Sequence, residues 1–217
     1  MLKFEARSQA SAVMSFASPI LALGITVVVG YLLFAGMGKN PFTALSLFLI
    51  EPLSSAYALS ELAVKAVPLL LIAIGLSVCF RANIWNIGAE GQFILGAICA
   101  GGVAMHAGPE TGKGIVFFVL LAGVLGGMLW AGIVAFLRDR FNASEILVSL
   151  MLVYVADLLL SYFVYGPWKD PQGFNFPQTI NFLPATQVPR LVASLRVVIG
   201  LLIALILAGL TWLLVFR

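Results

Sequence analysis

From Val197 to Phe216 the chain reads VVIGLLIALILAGLTWLLVF, without one charged residue. About 20 consecutive apolar residues is the length an α-helix needs to cross the hydrocarbon core of a bilayer. Such a run leaves few options, because backbone polar groups in lipid must be satisfied within the segment or by a closed barrel. Six candidate spans follow, at 17–36, 62–80, 93–108, 114–137, 145–165 and 195–216. The runs are continuous rather than alternating, which excludes a transmembrane β-barrel. Of the 217 residues, 62% are hydrophobic and 10% charged, with a mean hydropathy of +1.09. Soluble domains carry about 25% charged residues, so much of this surface must face lipid. The expected fold class is all-α, a polytopic bundle of about six transmembrane helices.

Other classes are excluded on the same page. A net charge of +3 gives no nucleic-acid reading. Cys79 and Cys99 lie in apolar runs and read as small buried hydrophobes, and His106 is the single histidine, so no metal site is expected. The opening MLKFEARSQASAVMSF lacks a cleavage signature and reads as a cytoplasmic tail before an uncleaved first span. GPETGKG (Gly108 to Gly114) imitates a phosphate-binding loop but has the wrong spacing, and Gly114 stands where Ser or Thr should hold magnesium. No nucleophile–base or paired-carboxylate arrangement is present, so an enzyme is not expected.

Two connections have a recognisable character. NPFTALSLFLIEPLSSAYALS, after the first span, reads as a short interfacial helix and a turn. The stretch 166–194 is polar and rich in proline, and belongs outside the membrane. Charge orients the chain weakly. With the N-terminus inside, Lys3, Arg7, Arg81, Arg138, Arg140 and Arg217 fall inside, and Lys39, Lys65, Lys113, Lys169, Arg190 and Arg196 outside. The short LRDR loop favours an inside N-terminus. In NASE, Asn142 stands three before Glu145 and reads as the cap of the fifth helix, with Ser144 as the alternative. Gly123 and Gly127, with Gly126 and Gly132 nearby, read as a close helix-packing face. Asp157, in mid-span, should face the bundle interior or a wet cavity, or be protonated.

The most unusual stretch is FRANIWNIGAEGQF, residues 80–93, set between two apolar runs. Gly88 and Gly91 permit positive φ and close backbone approach, so the segment 83–92 reads as a broken or re-entrant element, with a plain cytoplasmic loop and a capped helix start as the alternative. Asn83, Asn86 and Gln92 can satisfy the freed backbone groups or bind a polar solute, and Glu90 suits the start of the third helix. Backbone of this kind at membrane depth is tolerated only where it is buried in protein or lines a cavity.

FRANIWNIGAEGQFILGA resembles the permease subunits of bacterial ABC importers in the branched-chain amino acid, ribose and nucleoside superfamily, nearest to the nucleoside and simple-sugar branch. VKAVPLLLIAIGLSVCFRA and NASEILVSLMLVYVADLLLSYFVYGPWKDP resemble the same family. Val153 departs from it, standing where members carry an asparagine. Members also continue past TWLLVFR with a cytoplasmic ATPase-contacting segment and further spans, so residues 1–217 resemble the N-terminal part of one permease domain. The resemblance implies a translocation path in a bacterial plasma membrane, lined by Asn83, Asn86, Glu90 and Gln92. It implies a second permease subunit, ATPase subunits that carry the ATP, and an extracytoplasmic solute-binding lipoprotein. The chain itself then needs no cofactor, and Trp168, Lys169 and Asp170 become the expected docking surface for the binding protein. An ion-coupled carrier using Glu90 and Asp157, or a non-transporting assembly subunit, are the competing expectations.

Overall fold

A computed structural model describes residues 12–108, 110–112, 114–174, 176–190 and 199–217. Lys3, Arg7, Lys113 and Arg196, used above for orientation, lie outside the described residues, as do most of the expected N-terminal tail and the start of the sixth expected span. The described elements are helical: α1 (Ala12–Gly36), α2 (Pro41–Leu49), α3 (Ala56–Arg81), α4 (Ala89–Met105), α5 (Ile115–Phe141), α6 (Glu145–Tyr165) and α7 (Ile199–Thr211). Among the described residues, the extended backbone pairs only at an isolated bridge between Lys169 and Thr179.

Four helices are long and apolar enough to cross a membrane: Phe16–Gly36 within α1, and α3, α5 and α6. The third and sixth expected spans are occupied by shorter apolar helices. The 17 residues of α4 rise about 25 Å at 1.5 Å per residue. α7 has 13 residues and passes into a π turn at Trp212–Phe216. α3 begins six positions earlier than expected, because the Ser55 hydroxyl accepts from the Ala58 N–H at 3.1 Å and caps it. Pro68 therefore lies in mid-helix rather than near a start.

The chain divides into two units, Met1–Leu62 and Ala63–Arg217. In the first, α2 is the short helix expected after the first span. Asn40 caps it, its side chain accepting from Phe42 and Thr43 N–H, and Pro41 occupies the first position, where a missing N–H costs nothing. Tyr31 meets Phe42 edge-on at 5.3 Å and Phe34 stacks on Phe48 at 6.0 Å, which fixes α2 against α1.

In the second unit, α4 packs most closely on α5 and then on α6. The glycines are responsible. A Cβ on Gly96 would stand 2.9 Å from the Gly123 carbonyl oxygen, and one on Gly127 3.2 Å from that of Gln92. Gly126 faces Cys99, whose Sγ would be 2.6 Å from an added Cβ. This is the packing face expected from Gly123 and Gly127, and small residues are what let helix backbones approach in lipid. Gly132 is not part of it, since nothing lies within 4 Å of its Cβ position. Cys79 and Cys99 are free and half-buried. The His106 Nδ1–H donates to the Gly102 carbonyl at 2.7 Å, closing the C-terminus of α4.

The α5–α6 turn corrects the expected cap. Asn142 is the C-cap of α5, in the left-handed region at φ 52°. Ser144 is the N-cap of α6, accepting from the Leu147 N–H at 3.5 Å. An asparagine tolerates left-handed backbone better than most residues, and this turn uses that property instead of its capping oxygen.

Gly126→Ala should cost about 1–3 kcal/mol of stability by overpacking against Cys99. Gly132→Ala should change it by less than about 0.5 kcal/mol. Thermal unfolding of the two variants in detergent checks the contrast.

Candidate functional site

The break in FRANIWNIGAEGQF falls between Arg81, the last residue of α3, and Ala89, the first of α4. It is shorter than expected, because Glu90, Gly91 and Gln92 already lie in the first turn of α4. Its conformational pivot is also different. Asn83 takes positive φ, at 55°, whereas Gly88 sits at φ −88°. The two glycines serve close approach instead. A Cβ on Gly88 would lie 2.8 Å from the Ser149 Cβ, and one on Gly91 would lie 3.1 Å from the Val153 Cα and 3.2 Å from the Trp130 Nε1. That gap lets the Trp130 indole N–H reach the Leu152 carbonyl at 3.3 Å, so α4, α5 and α6 meet at Gly91.

This junction places two amides face to face. The Asn86 Nδ2 donates to the Gln92 Oε1 at 3.4 Å, and the Gln92 Nε2 donates to the Asn86 Oδ1 at 3.3 Å. The Asn86 Oδ1 also accepts from the Gly88 N–H at 2.9 Å. Both side chains are half-buried. They line two clefts between α3 and the α4–α5 pair. One, of about 510 Å³, has Arg138, Asp139, Asn142 and Glu145 on its wall. The other, of about 530 Å³, runs past Val67, Pro68, Leu71, Gly123 and Met128. Cys79, Asn86, Gln92 and Ala131 belong to both. All of this lies within Ala63–Arg217.

Of the four residues expected along a solute path, the structure brings Asn86 and Gln92 together and leaves Asn83 and Glu90 exposed, lining neither cleft. Asn83 is committed to the left-handed turn, and Glu90 sits on the outer side of the first turn of α4. Val153 lines neither cleft; its backbone is what Gly91 packs against. The sequence reading missed Cys79 and the Arg138 guanidinium, which lies 3.2 Å from the Glu145 carboxylate. The LRDR loop carried the signal for Arg138, whose spacing of seven from Glu145 brings the two together across the tight turn.

Asp157 is not enclosed by the described residues. It is exposed on α6 and has no hydrogen bond or ion pair among the described residues. Helix rotation decides this: Ala156, its neighbour, takes the buried position.

The expected docking residues divide as well. Trp168 stacks on Phe163 at 4.4 Å, and its ring covers Gly101 and Gly102, where added Cβ atoms would stand 3.6 Å away. It is a packing residue at the C-terminal end of α4. Asp170 braces its own loop, accepting from the Gln172 N–H at 2.9 Å and the Gln178 Nε2 at 3.3 Å. Lys169 and Asp170 line a surface hollow with Pro171, Gln172 and the exposed Phe174.

The family described as "Branched-chain amino acid transport system / permease component" matches residues 58–217. A glucose ABC transporter permease protein of Haloferax volcanii is 34% identical over 190 residues, which is 88% of this chain and 50% of that protein. A guanosine ABC transporter permease protein of Bacillus subtilis is 23% identical over 195 residues, 89% of this chain and 56% of the relative. A nucleoside ABC transporter permease protein of Lactococcus lactis is 24% identical over 151 residues, 70% and 42% respectively. The chain spans about half the length of the curated relatives it matches. No solved structure matches it at significance.

Gly88→Ala should destabilise the α4–α6 junction, by about 1–3 kcal/mol as overpacking does. Ser149→Gly in the same chain should restore part of the loss, because the Ser149 carbonyl oxygen, 3.1 Å from the added Cβ, remains. Melting temperatures of the single and double variants in detergent measure the rescue.

Proposed function

The chain belongs to the branched-chain amino acid transport system permease component family, and we propose from that premise that it is a transmembrane permease subunit of an ATP-binding-cassette importer. The family match over residues 58–217 carries this reading. The apolar helices fit a multi-pass membrane protein. The solute is a simple sugar or a nucleoside, the two classes named for the relatives. An extracytoplasmic binding protein delivers it, a second permease subunit completes the pathway, and separate ATPase subunits drive the cycle. The N-terminus is cytoplasmic, in a bacterial plasma membrane.

The path runs along the two clefts beside α3, with Asn86 and Gln92 at their meeting point. Polar side chains at that depth are costly in lipid and are retained where they bind one another or a solute. The clefts hold both amides and apolar wall, which suits a solute with hydroxyls or ring nitrogens on an otherwise neutral body. Lys169, Asp170 and the exposed Phe174 face outward as the contact for the binding protein, while Trp168 holds their loop on α4.

Uptake of radiolabelled glucose and of guanosine into energised vesicles, with the complete transport system present, tests the reading. Uptake should require ATP and persist when the proton gradient is collapsed. Uptake that continues without ATP and stops with the gradient would establish an ion-coupled carrier instead.

A further inference from the structure

Resting on the importer reading, we propose that the Asn86–Gln92 amide pair is a partition within the path. It opens by exchanging its own hydrogen bonds for those of a neutral solute that offers a donor and an acceptor side by side. The two clefts share only Cys79, Asn86, Gln92 and Ala131. Of these, only the amides carry strong hydrogen-bonding groups and reach across to each other.

The two halves of the pair are held unequally. Asn86 is fixed, because its Oδ1 accepts from the Gly88 N–H at 2.9 Å and Gly88 is wedged against Ser149. Among the described residues, Gln92 is held through its side chain only by the two longer bonds, at 3.3 and 3.4 Å. Its backbone is held by its N–H, which donates to the Gly88 carbonyl at 3.1 Å, and by its carbonyl oxygen, packed against Gly127. Opening is therefore a rotation of the Gln92 side chain. Gln92 is the specificity-determining residue and Asn86 its fixed counterpart.

The pairing also states what can open it. Each amide presents a carbonyl acceptor and an NH2 group with two donors, and each spends one N–H on the other. A solute with adjacent donor and acceptor, whether a vicinal diol or a nucleobase edge, satisfies both amides as the pair separates. A charged solute is not compensated there. The charged residues lining the clefts are Arg138, Asp139 and Glu145, all on one of them, and Arg138 and Glu145 already pair. An ion leaving water for the apolar wall beyond would lose its hydration without a counter-charge.

Cysteine labelling in membranes tests this without requiring transport. In a chain with Cys79→Ser and Cys99→Ser, Val67→Cys marks a buried position on the cleft beyond the amides and Ala135→Cys the cleft before them. Gln92→Ala should raise the rate at which a membrane-impermeant methanethiosulfonate reaches Val67→Cys by about tenfold, as expected for losing two modest hydrogen bonds. The rate at Ala135→Cys should stay within about twofold, since its cleft lies before the amides. An unchanged rate at Val67→Cys, or an equal rise at both positions, overturns the partition.

Specificity is read at Cys79, which lies beside the pair, in a Cys99→Ser chain within the assembled transporter. Glucose and 2′-deoxyguanosine, which keeps the base edge but has no vicinal diol, are added separately to distinguish the diol from the nucleobase source, and the one that slows labelling identifies it. Glucose 6-phosphate should not slow it. Protection by the phosphate ester equal to that by glucose, or protection by none of the three, overturns the selection of neutral solutes. The importer reading fails separately: loss of ATP-driven uptake with the labelling changes intact removes the importer and leaves the partition.

Discussion

The approach of α4 to α5 and α6 at backbone distance is the contact on which the rest of the second unit depends. It is made by atoms that are absent. Gly88, Gly91, Gly96, Gly126 and Gly127 each occupy a place where a methyl group would meet Ser149, Val153, Gly123, Cys99 or the Gln92 carbonyl at 3.2 Å or less. In lipid there is no hydrophobic force between helices, so close packing and hydrogen bonds must hold them. The Trp130 indole donating to the Leu152 carbonyl is available only because Gly91 leaves room for it.

That packing has a chemical consequence. It pins the first turn of α4 and the segment before it, and so fixes where Asn86 and Gln92 meet. The pair faces α3 across two clefts, while the opposite end of α4 is covered by Trp168 lying on Gly101 and Gly102. One short helix thus presents amides at one end and a flat glycine surface at the other. The Arg138–Glu145 pair closes the α5–α6 turn beside one of those clefts, next to the left-handed Asn142.

Much of this was legible in the chain. The apolar runs foretold helices, and the Gly123–Gly127 spacing foretold the packing face. The motif at 80–93 marked the break between α3 and α4, and its resemblance named the family that matches residues 58–217. Residue roles inside the motif were less legible. Glycine suggested positive φ, yet Asn83 supplies it, because asparagine also tolerates the left-handed region and Gly88 and Gly91 are needed for contact. Asn142 and Ser144 both suit a cap, and sequence does not say which of two adjacent helix ends each one serves. Glu90 and Gln92 are two positions apart and so fall on different sides of the first turn of α4.

By itself the sequence determined that the chain is helical and largely apolar, that it breaks between α3 and α4, and which polar residues lie at the break. Length, hydropathy and the need to satisfy backbone groups in lipid leave no other solution. Only the tertiary structure decided which of those residues meet. Asn86 and Gln92 are six positions apart, on opposite sides of the helix start, and nothing in their spacing requires contact. They face each other because Gly88 seats on Ser149 and Gly91 on Val153, contacts some sixty residues away in the chain. The same long-range packing turned Trp168 onto α4 and left Asp157 exposed.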